Sequence, residues 1–207
     1  MNQKEFSQIS DFTLNHLQNV FGNASHPKEV RRLAEEIYQQ LMNWYQLEQE
    51  DCYLLEIAAL LHDTGAIFGE KQHHKNSFEY IMNLNFPCPK EEKLIIANIA
   101  RYHRKALPSN KHHNFKILSP NQKYLIIKLS AILRLADALD RSHAQNIEHL
   151  DLRLEDSAIY FEIHPKNCLG TMLCSSFQIE KYGFEKKKDL FEQVFKKNTV
   201  LTIKFNN

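Results

Sequence analysis

The chain has 207 residues and nearly balanced charge, 26 Lys and Arg against 25 Asp and Glu, so it is long enough for one well-buried domain or one domain plus a small appendage, and nothing in its overall electrostatics argues for a nucleic-acid partner. No apolar stretch approaches the roughly 20 residues that span a bilayer, and Met1-Asn2-Gln3-Lys4-Glu5-Phe6 lacks the apolar core of a signal peptide. Cys52, Cys88, Cys168 and Cys174 form no CxxC pair, which argues against a disulfide framework or a thiolate zinc site and predicts a reduced, cytoplasmic protein with no membrane partner. The compositional oddity is 11 histidines.

Phe6, Ile9, Leu14, Leu17 and Val20 recur at helical spacing and predict a helix over 5–21, stopped by Gly22. Ser25-His26-Pro27 opens a second helix, with Ser25 or His26 as cap and Pro27 tolerated in the first turn. Val30, Leu33, Ala34, Ile37, Leu41 and Trp44 give it one core face. A third helix covers 50–63; its run from Leu54 to Leu61 has too few polar positions for a surface helix, and Gly65 is expected to close it in the left-handed conformation. A loop over 65–72 leads to a short helix beginning at His73-His74-Lys75-Asn76-Ser77. After Pro87 and Pro89 a fifth helix is expected over 90–103, then a polar loop over 104–120, then a second buried helix over 124–139. Six helices thus fill about 145 residues. Alternating patterns next predict a hairpin turning at Glu155-Asp156-Ser157, a strand near 172–179, a helix over 184–197 and a last strand over 199–205. The expected division is a helical domain over 1–145 and a small β-β-α-β appendage over 146–207, making the fold mainly α.

Chemistry concentrates at helix ends. His62-Asp63 terminates a core helix, where neither side chain belongs unless it is paired or bound to a metal; the bland alternative is that both satisfy backbone groups. Asp137 sits in Ile132-Leu133-Arg134-Leu135-Ala136-Asp137-Ala138-Leu139 and needs a cation or several donors, which Arg134 or Arg141 on the same face could supply. His26, His74 and His103 also stand at helix ends. Imidazole and carboxylate together suit Mn, Fe, Zn, Co or Ni, and Mg less readily. Lys75, Arg101, Arg104, Lys105 and Arg141 lie within a few residues of these candidates and read together as a pocket for phosphate, although each alone reads equally as a solvated charge. His112, His113, His143, His149 and His164 fall outside the pattern and read as surface or structural.

A histidine, a His-Asp doublet and a distant aspartate on separate helices resemble the HD-domain superfamily of metal-dependent phosphohydrolases. That resemblance implies a helical bundle with His26, His62, Asp63 and Asp137 as metal ligands. Two-metal members add two histidines, for which His74 and His103 stand in place, with His73 as the alternative to His74 and Asp63 bridging the ions. A closer resemblance is carried by His73-His74-Lys75-Asn76-Ser77, by Ile96-Ala97-Asn98-Ile99-Ala100-Arg101-Tyr102-His103-Arg104-Lys105, by Leu133-Arg134-Leu135-Ala136-Asp137-Ala138-Leu139-Asp140-Arg141-Ser142 and by Lys187-Lys188-Asp189-Leu190-Phe191. These look like the C-terminal part of the exopolyphosphatase and guanosine pentaphosphate phosphatase family. Those enzymes carry their polyphosphate-hydrolysing site on two actin-like domains ahead of this region, which this chain lacks, so that activity is not carried over. The resemblance implies a phosphohydrolase using one or two divalent ions (Mn, Fe, Zn, Co, Ni or Mg), with Asp63, Lys75 and Arg104 as catalytic residues. The implied partner is a phosphate ester, nucleotide-type compound or polyphosphate, and a homodimer is left open. The alternative is a non-catalytic polyphosphate-binding or regulatory module.

Overall fold

In the computed structural model, which describes residues 2–166 and 177–204, the helices begin where polar side chains can satisfy their first N–H groups. α1 (Gln3–Phe21) starts on a reciprocal capping box between Asn2 and Glu5, each side chain accepting from the other's backbone N–H at 3.0 Å. α2 (Ser25–Tyr45) has Ala24 at its cap, so neither Ser25 nor His26 is used there and the His26 side chain is free for other work. α3 (Gln49–Leu61) is buried from Leu54 to Leu61, including Glu56, whose carboxylate accepts from Arg31 Nε at 2.7 Å. Two 3-10 turns (Thr64–Phe68 and Glu70–Gln72) occupy the expected loop before α4 (His73–Asn83). α5 (Lys90–Arg101), the four-residue α6 (His113–Lys116) and α7 (Pro120–Leu139) follow. α7 starts four residues earlier than its apolar run, because Ser119 and Gln122 form a second capping box and Pro120 suits the first turn.

β1 (Ile147–Leu154) and β2 (Ala158–Pro165) pair antiparallel, and β3 (Asn198–Ile203) joins β2 in parallel, giving the order β1-β2-β3. Between β2 and β3 lie α8 (Gln178–Lys187) and α9 (Asp189–Phe195). The single helix expected over 184–197 is therefore two, starting earlier and ending sooner. The strand expected near 172–179 falls largely outside the described residues, and its last two positions, Gln178 and Ile179, are helical.

The fold is mainly α with a small α+β part at its C-terminal side. α3 and α7 form its centre, with α2 and α5 packed against both. One face of the sheet packs on α8 and α9 through Phe161, whose ring meets Phe184 and Phe191 edge-on at 5.1 and 5.3 Å. The outer edge of β1 is covered by α2. Arg32 donates to the Ile147 carbonyl at 2.9 Å, Gln40 donates to the Leu150 carbonyl at 2.7 Å, and Glu36 and Gln40 accept from the N–H groups of Leu150 and Leu152 at 3.0 and 2.7 Å. Side chains of one helix thus take the hydrogen bonds a neighbouring strand would have made. Among the described residues no single helix is long and apolar enough to cross a membrane.

Candidate metal centre

His62 caps the end of α3 with a right-handed backbone, and Gly65 does not adopt positive φ. The expected left-handed closure by Gly65 is thus replaced by another reason for glycine. A Cβ there would lie 2.2 Å from both the His73 carbonyl oxygen and the Ser77 nitrogen. Only the missing side chain lets the turn after α3 press against the start of α4. Ser77 locks the contact, its hydroxyl donating to the His62 carbonyl at 2.6 Å and accepting from the Gly65 N–H at 2.9 Å. The close approach brings His73 Nε2 to 3.1 Å from Asp63 Oδ1.

Three other elements converge on the same point. His103, just past α5, sets its Nε2 3.5 Å from Asp63 Oδ1 and 3.2 Å from His73 Nε2. Asp137 on α7 turns Oδ1 toward His26 Nε2 at 3.7 Å and His62 Nε2 at 4.0 Å, while its Oδ2 pairs with Lys187 from α8. Asp63 Oδ2 is 3.4 Å from His62 Nε2 and 3.8 Å from His26 Nε2. The donors therefore form two groups, His26–His62–Asp137 and Asp63–His73–His103, each with its ligand atoms within 4.8 Å of one another. The two oxygens of Asp63 face one group each.

The far side of three imidazoles is tied down. Nδ1 of His62 pairs with the Ala59 carbonyl at 2.7 Å and Nδ1 of His103 with the Ala100 carbonyl at 2.6 Å, so both carry the proton there. Nδ1 of His26 pairs with Asp140 Oδ2 at 2.8 Å. In each ring Nε2 is left to point inward, the orientation in which imidazoles ligate metals. His26 Nε2, His62 Nε2 and Asp63 Oδ1 are buried without a hydrogen-bond partner among the described residues. A buried polar atom left unsatisfied costs about 1–3 kcal/mol. Two of them, in His26–His62–Asp137, and the third, in Asp63–His73–His103, fit cations that would use their lone pairs.

The charges agree. Burial works against ionisation of Asp63, but the neighbouring His62 and His73 hold its carboxyl well below the usual carboxylate range. Burial is likewise outweighed at Asp137 by Lys187 and by the nearby His26 ring. Burial and the neighbouring His62 push His103 well below the ordinary imidazole value, so it is neutral, as a ligand must be.

The cluster floors a cavity of about 580 Å³ whose rim carries Lys71, Arg104, Lys105, Arg141 and Lys187. Asp63 is the most exposed of the six clustered residues, with 27% of its side chain open. Of the residues singled out in sequence, His26, His62, Asp63, His103 and Asp137 meet here. His73 takes the place beside them, and His74 does not: successive residues on a helix point in different directions, and the His74 ring lies 6.3 Å from that of His73. Burial, followed by Lys105 and His73, lowers His74 to about 4. Arg104, Lys105 and Arg141 line the cavity. Lys75 is exposed outside it, and Arg101 lies over the Phe78 ring at 5.9 Å. Arg134, the other proposed partner of Asp137, instead donates to the Tyr102 carbonyl at 3.3 Å and faces Asp189 at 3.6 Å.

Four contributors escaped the sequence reading. Asp140 had a usable signal, being one helical turn from Asp137. His143, read as surface or structural, stacks on His26 at 3.7 Å and lines the cavity. Lys71 sits in a turn without periodicity. Lys187 comes from 50 residues away and had no local signal.

A family model described as Ppx/GppA phosphatase, domain III, matches residues 9–170. The chain belongs to that family. Ppx/GppA domain III is a phosphatase-related module corresponding to the C-terminal region of exopolyphosphatase and GppA. The matched stretch runs from α1 past β2 and contains all six clustered residues, whereas Lys187 lies beyond it.

Proposed function

We propose that this Ppx/GppA domain III chain is an HD-type metal-dependent phosphohydrolase acting on a phosphate ester or nucleotide-type substrate. The observation that carries this reading is the trio of partnerless buried atoms, His26 Nε2, His62 Nε2 and Asp63 Oδ1, beneath a rim of five cationic side chains. His26, His62 and Asp137 would hold one divalent ion and His73 and His103 a second, with Asp63 shared between them. Bound there, a divalent ion lowers the pKa of water so that hydroxide is available near neutral pH. The chain's own residues do the rest. Asp140 and the Ala59 and Ala100 carbonyls fix the ring tautomers. Lys187 neutralises one oxygen of Asp137 and leaves the other facing the imidazoles. Arg104, Lys105, Arg141 and Lys71 bind and orient the phosphate, Arg104 reaching the centre with Nη1 3.2 Å from His73 Nε2.

A panel of phosphate esters, nucleotides and polyphosphate assayed with Mn, Mg, Co and Ni tests the reading. Turnover is expected for the wild type and its loss, by about 100-fold or more, for Asp63→Asn and Asp137→Ala. Purified protein that takes up no stoichiometric metal would sink it. The excess of rim cations over what one phosphate requires favours a second reading, a non-catalytic polyphosphate-binding module. Tight polyphosphate binding that survives Asp137→Ala, without turnover of any ester, would favour the module.

A further inference from the structure

The solvent face of the hairpin carries another set of metal-ligating side chains, on elements that do not line the cavity. Between Ile147 and His149 the register of β1 slips by one residue, so Ile147 pairs with Pro165 but His149 pairs with His164. The bulge leaves Glu148 and His149, two consecutive residues, both exposed, while Ile147 and Leu150 stay in the core. Without it His149 would fall on the buried face. With it, His149 stands directly across from His164, their rings stacked at 3.9 Å and 14°.

Asp151 lies two residues along the same face. Its Oδ2 is 3.1 Å from His164 Nε2 and 3.7 Å from His149 Nε2, and one ligand atom from each of the three residues falls within 4.8 Å of the others. Asp151 is also directly opposite Glu162, and carboxylates facing each other across strands repel. Glu162 is compensated by Arg153 at 3.1 Å and Lys204 at 3.4 Å. Among the described residues Asp151 has no such cation, only the two imidazoles. His164 Nδ1 is buried with no hydrogen-bond partner among the described residues.

We propose that His149, Asp151 and His164 form a second, surface site for a divalent transition-metal ion of the zinc class. Two imidazoles and one carboxylate suit Zn, Ni, Co or Cu(II) and not Ca, which prefers all-oxygen shells. The ion supplies the positive charge that Asp151 lacks, and it ties β1 to β2 across the bulge. Water completes the shell on the open side.

The test compares the full wild-type chain, stripped of metal by chelation, with His149→Gln/His164→Gln, both titrated calorimetrically with Zn²⁺. Both substitutions are on the solvent face, and neither residue belongs to the centre in the bundle. The wild type is expected to take up one equivalent more than the double variant; equal stoichiometry overturns the proposal. A second measurement needs no variant. Cu²⁺ added to ¹⁵N-labelled wild type is expected to broaden the backbone amides of His149, Asp151 and His164. Broadening confined to residues around His26 and Asp63 overturns the proposal as well.

Discussion

His26 answers to two opposing demands. Burial disfavours its charged form, but the hydrogen bond to Asp140 and the nearby carboxylates of Asp137 and Asp63 outweigh that and raise it to about 9. A ligand must be neutral, so metal uptake at pH 7 is expected to expel a proton. Calorimetric titration in buffers of different ionisation enthalpy measures it directly, and metal affinity should rise as pH climbs toward 9. The sign for stability is opposite. A histidine whose folded value lies above its unfolded value of about 6.5 contributes stabilisation that is fully present below 6.5 and lost as pH rises through about 9. Thermal melts of the metal-free chain should therefore fall across that window. Asp140→Asn removes the carboxylate that orients the His26 ring, and such partners are worth about 10–100-fold in metal affinity. A drop of that size is expected in competition with a metal chelator, with the helical circular dichroism retained. Residues of the centre were legible in sequence wherever a charged or imidazole group interrupted an apolar run, as at His62-Asp63 and Asp137. Choosing between His73 and His74 required the rotation of α4, which adjacent residues do not reveal.

Among the elements, the junction of α3 and α4 is the most intolerant of change. Gly65→Ala forces a methyl group against backbone atoms that no side-chain rotation can move, and a cost of about 1–3 kcal/mol or more is expected. Because the same contact sets His73 against Asp63, metal stoichiometry should fall together with the melting temperature. If Gly65→Ala melts lower yet binds the full complement of metal, the junction is merely structural. Helix positions were readable from spacing, and helix ends less so: the start of α7 is set by Ser119 and Gln122, polar residues that carry no periodicity. α8 was not legible at its start because its buried positions there are Glu180 and Gly183, whereas the apolar Ile179 and Tyr182 are exposed. A Cβ on Gly183 would lie 2.8 Å from Arg141 Cδ, so the glycine leaves room for a cation of the rim in its present position.

For the molecule as a whole, the bundle and the C-terminal part are not independent. α8 and α9 pack on α7, Lys187 reaches Asp137, and α2 holds the edge of β1. A fragment ending at residue 145 would lose the partner of Asp137 and expose the apolar side of α7. It is expected to unfold without a cooperative transition and to bind metal weakly, as circular dichroism melts and calorimetry would register. A fragment that melts cooperatively and retains the metal would establish two separable units. The sequence pattern distinguished helices from strands at about residue 146, but long-range placement was beyond it. Neither the parallel seating of β3 beside β2 nor the arrival of Lys187 at the centre leaves a trace at short spacing.

The helix side chains along the sheet also decide how this chain could meet another. On the β1 side, Arg32, Glu36 and Gln40 occupy the groups an incoming strand would need. On the β3 side, Glu192 accepts from the Thr199 N–H at 2.8 Å and Lys188 donates to its carbonyl at 3.4 Å. Strand-to-strand growth, whether into a dimer or into an aggregate, is therefore blocked along most of one border and at the start of the other. What these side chains leave open is short: the ends of β1 and β3, too little to seed an extended sheet.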